Sequence, residues 1–291
     1  PPLPGEYFDL IGGTGTGGLI ALMLGPLRMS VRDAITTYGQ MSEEVFSEKK
    51  WKGKDSTFKA SKLEDFIKRI AATKLGNPDA RMLELGNDDC CKMFICAMPA
   101  HSINSAIPRL FCTYQVPKGS TFNCMVWEAA RATSAAPNIF KPITIGDSFM
   151  QELFIGGSTG CNNPIRQVLQ EADLIFPSKH VACVLSIGAG HPKNISFASS
   201  GGLFSNVLPL SVCTTMHDIA TDCEGTAEEM ARQFRTISNF YFRFNVDQGL
   251  QSFKLGQWDR LNELKEYFHP SSLSIEQKGF VLYGLGGAGK T

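Results

Sequence analysis

The sequence predicts an α/β fold, with a mostly parallel central sheet carrying helices on both faces. Three observations predict it. Short apolar segments of strand length alternate with longer segments whose apolar residues recur at helical spacing, a pattern that calls for crossover connections. The run Val181–Ile187 is almost continuously apolar, as a strand covered on both faces should be. Near the start, Tyr7–Ile11 leads into the glycine cluster Gly13–Gly18 and then into Leu19–Leu24, which reads as strand, tight turn and helix.

The remaining elements follow in order. Ser30 is a cap for a helix over Val31–Glu48, with Val31, Ala34, Ile35, Tyr38, Met41 and Val45 on one face. A polar stretch from Lys49 to Ser61 precedes a second amphipathic helix marked by Leu63, Phe66, Ile67 and Ile70. Strands are expected at Met93–Ala97 and Leu110–Tyr114, and a helix over Trp127–Ala136 that stops before Pro137. Glu152–Ile155 reads as a strand, and Asn162-Asn163-Pro164 opens a helix that turns Ile165, Val168 and Leu169 inward. After the Val181–Ile187 strand, Ser196–Leu210 reads as a loop, and helices over about Val212–Asn239 cover the sheet. One domain over residues 1–268, a linker over 269–279 and a terminal segment over 280–291 are expected.

Composition narrows the classes of function. The 291 residues are 43% hydrophobic, enough for a sizeable core. Lys and Arg number 28 against 28 Asp and Glu, so no nucleic-acid footprint is expected. The nine cysteines include no C-x-x-C pair, and Cys96, Cys112 and Cys183 fall in apolar runs where a thiol acts as a small hydrophobe. That usage points to a reducing, cytoplasmic setting. The five histidines lack metal-ligand spacing, so no metal is expected. No apolar run reaches the length of about 20 residues that spans a bilayer, so any membrane contact is expected to be peripheral. Lys49-Lys50-Trp51-Lys52-Gly53-Lys54 is the segment placed to make it, although such clusters are more often solvated loops.

The glycine cluster fits two templates. Gly13, Gly15 and Gly18 satisfy G-x-G-x-x-G, a dinucleotide fingerprint, but that fingerprint needs a strand soon after its helix and the next segment is another helix. The frame Gly13-x-Gly15-x-Gly17 also matches G-x-S-x-G, the nucleophile elbow of serine hydrolases, with glycine where the serine would stand. Three further motifs follow in order: Trp127-Glu128-Ala129-Ala130-Arg131-Ala132-Thr133-Ser134-Ala135-Ala136-Pro137, then Gly156-Gly157-Ser158-Thr159-Gly160-Cys161-Asn162-Asn163-Pro164, then Leu185-Ser186-Ile187-Gly188-Ala189-Gly190.

This series resembles the patatin-like phospholipase family from about Tyr7 to about Phe268, and Tyr241–Val246 is similar to the tail of its fungal type. The resemblance implies a three-layer patatin-like fold and lipid acyl hydrolysis by a Ser–Asp dyad, with lipid or phospholipid as partner. It places the nucleophile at Gly15 and the dyad aspartate at Gly156, so serine and aspartate are both replaced. Gly13, Thr16, Gly17, Gly157, Asn162 and Asn163 become the supporting residues of the two turns. The family's D-G-G-G-x-R-G oxyanion loop has no counterpart, and its N-terminal strand is expected to be missing, leaving Tyr7–Ile11 at a sheet edge. Thr14 and Thr16 flank the turn and should point to different sides of it. Asn162 and Asn163 should satisfy backbone groups of the second turn, Arg131 should pair within the core, and Thr133 and Ser134 should bond backbone.

The expected function is a degenerate lipid acyl hydrolase domain, catalytically silent as written. Two alternatives stand beside it: an active hydrolase if the native gene encodes Ser and Asp, and a nucleotide-binding module. The last rests on Phe280–Tyr283, a short apolar strand, followed by Gly284-Leu285-Gly286-Gly287-Ala288-Gly289-Lys290-Thr291. This fits the P-loop, with Gly284 and Gly289 framing phosphates, Lys290 reaching them and Thr291 holding Mg²⁺. It resembles the opening of an NB-ARC-type ATPase, which implies the effector end of a nucleotide-switched, NLR-like receptor. ATP or ADP with Mg is expected of the full-length protein, and no cofactor of the residues present.

Overall fold

The computed structural model describes residues 2–49, 56–86, 91–103, 107–116, 122–147, 149–190 and 219–246. The linker, the P-loop, the Ser196–Leu210 loop and the Lys50–Lys54 part of the basic cluster lie outside them.

A five-stranded sheet forms the centre. Its strands are β1 (Leu10–Thr14), β2 (Lys92–Pro99), β3 (Arg109–Cys112), β4 (Ile143–Ile145) and β5 (Glu152–Gly156). β2 is the hub, parallel to β1 and antiparallel to β3 and β5, and β4 extends the sheet beyond β5. A second, two-stranded sheet pairs β6 (Val184–Ile187) with β7 (Tyr241–Phe244) in parallel. The α/β class holds, with a mixed rather than mostly parallel sheet. Strand direction depends on which distant segment becomes the neighbour, and no local periodicity carries that.

Helices cover both faces. α1 (Pro4–Tyr7) precedes β1; α2 (Thr16–Leu24), α3 (Val31–Phe46) and α4 (Ala60–Leu75) follow it. α5 (Val126–Ser134), the short turn α6 (Ser158–Cys161), α7 (Ile165–Ile175) and α8 (Glu224–Gln233) complete the set among the described residues. The fully buried strand β2 shows why two layers of helix are needed. Met93, Ile95 and Ala97 join the core with Leu22, Met41, Leu63 and Ala129, whereas Phe94, Cys96 and Met98 join Cys112, Tyr114 and Val168 on the other side. Successive residues of one strand thus feed opposite cores.

Several boundaries move. The first strand is Leu10–Thr14 instead of Tyr7–Ile11, because Pro4 at a first helical position and Glu6, whose carboxylate accepts the Leu3 N–H at 3.1 Å, turn Pro4–Tyr7 into a helix. Gly13 and Thr14, the first two residues of the glycine cluster, are therefore strand. Just before them, a side chain at Gly12 would strike the Phe94 ring. α3 is capped as expected, Ser30 Oγ accepting the Asp33 N–H at 3.1 Å. β4 and a 3₁₀ turn at Met82–Leu85 were not anticipated. Within Val212–Asn239, the described part contains α8, and Tyr241–Phe244 is a strand. Val184 and Ser186 of β6 are buried while Ile187 is exposed, and Cys183 is also exposed, so among the described residues this strand is covered on one face only.

Candidate functional site

The register of β2 brings the two glycine turns together. Thr14, the last residue of β1, lies opposite Cys96, and Gly156, the last residue of β5, lies opposite Ala97. Arg109 of β3 occupies the other side of Ala97, so β1 and β5 meet end to end along one edge of β2.

At the first turn Gly15 takes φ 54° and ψ −128°, a backbone conformation that costs a residue with a side chain about 1–3 kcal/mol. It caps α2: the N–H groups of Gly18 and Leu19 donate back to its carbonyl at 3.0 and 3.3 Å. Its own N–H donates to Thr133 Oγ1 at 2.7 Å, and that hydroxyl donates to Cys96 O at 2.6 Å. Thr133 is 1% exposed, so this is a dry staple between the turn and the hub strand. Space ahead of the corner is open. A Cβ on Gly15 would find a single atom within 4 Å, Thr133 O at 4.0 Å.

At the second turn Gly156 N–H donates to Ala135 O at 2.8 Å, and Gly157 N–H to Thr133 O at 3.4 Å. Here the space is closed, since a Cβ on Gly156 would lie 2.8 Å from Ala136 N. α6 kinks at Thr159 and Gly160, and Asn163 Oδ1 then accepts the Ile165 N–H at 3.3 Å to start α7. Asn162 reaches further than its own turn, donating Nδ2 to Thr221 O at 2.7 Å. Thr14 and Thr16 part as expected: Thr14 Oγ1 sits over Gly157, and Thr16 hydrogen-bonds Tyr38. Burial pushes the Tyr38 phenol above its ordinary pKa, with the Thr16 and Ser42 hydroxyls pulling the other way. Arg131 is a core ion pair, its Nε donating to Glu64 Oε1 at 3.0 Å beneath the Phe140 ring.

Gly13, Gly15, Thr16, Gly17, Asn162 and Asn163 all line one cavity of about 910 Å³; Gly156 stands at its edge against Ala136, and Gly157 against Thr14 and Thr133. The far wall is Val181–Gly190 together with Phe242, Arg243 and Phe244. Sequence reasoning missed Tyr38, read only as a core position, and the β6–β7 wall. The signal for Tyr38 was a hydroxyl set in an otherwise apolar helical stripe. Among the described residues no group of His, Cys, Asp and Glu is placed to hold a metal, and no helix is long and apolar enough to cross a membrane. The arrangement offers an elbow, hydrogen-bond donors and an apolar hollow, with neither a hydroxyl at the corner nor a carboxylate opposite it.

Comparison with known proteins agrees with this architecture. Residues 2–169 match the family model of patatin-like phospholipases. Calcium-independent phospholipase A2-gamma of Rattus norvegicus is 26% identical over 82% of this chain and 30% of its own length. Phospholipase A I of Arabidopsis thaliana is 26% identical over 64% of the chain and 18% of its own length. A third relative from Arabidopsis thaliana, "Probable inactive patatin-like protein 9", is 25% identical over 54% of the chain and 39% of its own length. The chain thus spans well under half of each of these relatives. It belongs to the patatin-like phospholipase family.

Proposed function

We propose that this chain is a lipid-binding patatin-like domain that no longer hydrolyses its ligand, and that it serves as the effector end of a nucleotide-switched receptor. One observation carries the first part. Gly15 holds the strained corner on which a nucleophile would be presented, yet no atom at that corner can attack a carbonyl. Gly156 likewise leaves the opposite turn without a base. Loss of either member of such a unit removes most of the rate, because nucleophile and base act together. Neighbouring hydroxyls are poor substitutes: Thr14 is directed at Gly157 and Thr16 at Tyr38. A relative described as probable inactive is consistent with this reading.

The receptor part is supported by the P-loop signature, in which Gly284, Gly289, Lys290 and Thr291 would hold ATP or ADP with Mg in the full-length protein. A cytoplasmic, membrane-peripheral setting fits the free thiols and the lysine–tryptophan cluster. A second reading, hydrolysis by a native form with Ser at 15 and Asp at 156, draws support from the open space ahead of Gly15. Sequencing the gene across both codons decides between the two.

A fluorophosphonate that labels activated serines tests the silent site. The intact mass of the chain should be unchanged after exposure. A stoichiometric adduct at Thr14, Thr16 or Ser134 would overturn the proposal.

A further inference from the structure

The turn between β4 and β5 holds the most exposed large apolar side chain among the described residues. Phe149 is 98% exposed, and its neighbour Met150 is 74% exposed. The turn itself is built. The ladder runs out to the pair Ile145–Glu152, and the Met150 N–H donates to Asp147 O at 3.1 Å. Gly146 enters the turn at φ 123°, where a side chain would strike Met150 O. An ordered hairpin thus leaves two large apolar side chains almost wholly in water. Single exposed apolar residues are ordinary, but a cluster of them marks a contact surface.

Strand register fixes where that cluster points. Gly15 follows Thr14, which lies opposite Cys96 near the C-terminal end of β2. Along β5, Gly156 lies opposite Ala97 and Phe154 opposite Pro99, the last residue of β2. Residues before Phe154 therefore run outward, past the end of the sheet at which both glycine turns sit. Leu153 O accepts the Ala100 N–H at 2.8 Å there. Leu153 is itself exposed, as are Ile103 and Ile107 in the connection that leaves β2 at this end and enters β3. Charge is weak around them. Glu152 lies 2.8 Å from Arg109 and 3.5 Å from His101, and Asp147 is the one charge on the turn.

We infer that the β4–β5 hairpin is a membrane finger, which sets Phe149 and Met150 into the headgroup–acyl boundary of a lipid bilayer. Leu153, Ile103 and Ile107 form a shallower rim, and the end of the sheet with both glycine turns then faces the lipid surface. This rests on the lipid-binding reading and names the surface at which the lipid is met. A stable protein interface takes about 20–30 residues a side with matching shape. Five apolar residues around a narrow projection fall short of that, and the weak charge gives an oppositely charged protein nothing to match. A fluid bilayer closes around a projection without any shape match, and apolar side chains buried about 5–10 Å deep are enough to hold a peripheral protein.

The test is co-sedimentation of the purified chain with phosphatidylcholine vesicles, whose net charge is zero. The unaltered chain should sediment with them, and high salt should change its partitioning by less than about two-fold, because insertion is not screened. The double variant Phe149→Ser, Met150→Ser should partition about ten-fold or more weakly. Leu174→Ser, which removes an exposed apolar residue near the far end of α7, should stay within about two-fold of the parent. In Phe149→Trp the introduced indole should shift its emission to the blue on vesicles and be quenched by lipids brominated in the acyl chain. No sedimentation of the parent, loss of it at high salt, equal partitioning of parent and double variant, an equal loss in Leu174→Ser, or an unquenched indole would each overturn the inference. So would a dimer in analytical ultracentrifugation that the double variant turns to monomer, which would assign the cluster to a second copy of the chain. Should the double variant not fold, the indole measurement still decides. Fluorophosphonate labelling separates the two levels: an adduct breaks the silent-site reading and leaves the finger standing, while an unlabelled chain whose double variant sediments like the parent breaks this inference alone.

Discussion

At the end of β1, Gly15 keeps a left-handed backbone with open space before it; at the end of β5, Gly156 is pressed against the Ala135–Ala136 backbone. Both turns hang from Thr133, whose hydroxyl accepts the Gly15 N–H and whose carbonyl accepts the Gly157 N–H. One shared anchor therefore serves two different local states. The first turn has a positive φ and room ahead of it, with no side chain there. At the second, neighbouring backbone occupies the place a side chain would take. Strain survives at Gly15 because α2 and Thr133 fix the turn from both ends, and glycine makes that conformation cheap. At Gly156 no such conformation is demanded, and neighbouring backbone fills the space instead.

Substitutions turn this contrast into a ranking, read from urea melts of each variant. Gly156→Asp should cost most, about 3–5 kcal/mol, since backbone must move aside and a carboxylate is buried without a partner. A cost no larger than that of Gly15→Ser would break the comparison. Thr133→Val should come next at about 2–3 kcal/mol, leaving the Gly15 N–H without its acceptor and Cys96 O without that donor. A loss below about 0.5 kcal/mol would mean that the Thr133 hydroxyl does not anchor the first turn. Gly15→Ser should cost about 1–2 kcal/mol, from backbone strain alone. A larger loss would show that the space ahead of the corner is not open. Asn162→Ala should cost least, about 1 kcal/mol, for the single bond to Thr221 O. Faster proteolysis near residue 221 in that variant would sharpen the picture of what the second turn holds in place.

Much of this was legible in the residues. The apolar run of β2 and the stripe of α3 are local patterns, and the structure follows both. The tight turn at Gly15 was legible because a glycine frame stands between an apolar strand and an apolar helix. The end of β1 was not, since Gly12 and Gly13 look like turn residues until Phe94, eighty positions on, is seen to press on the strand. β4 is three residues long and gives no periodic signal. The closed space at Gly156 is set by Ala135 and Ala136, some twenty positions upstream, and only the folded chain brings them there. The β6–β7 wall was hidden for the same reason, because it depends on pairing residues more than fifty apart.

The most direct test of catalytic silence is fatty-acid release from phosphatidylcholine–phosphatidylglycerol vesicles incubated with the purified chain. The account predicts release no greater than from a heat-killed control. Sustained release that scales with the amount of chain would contradict it.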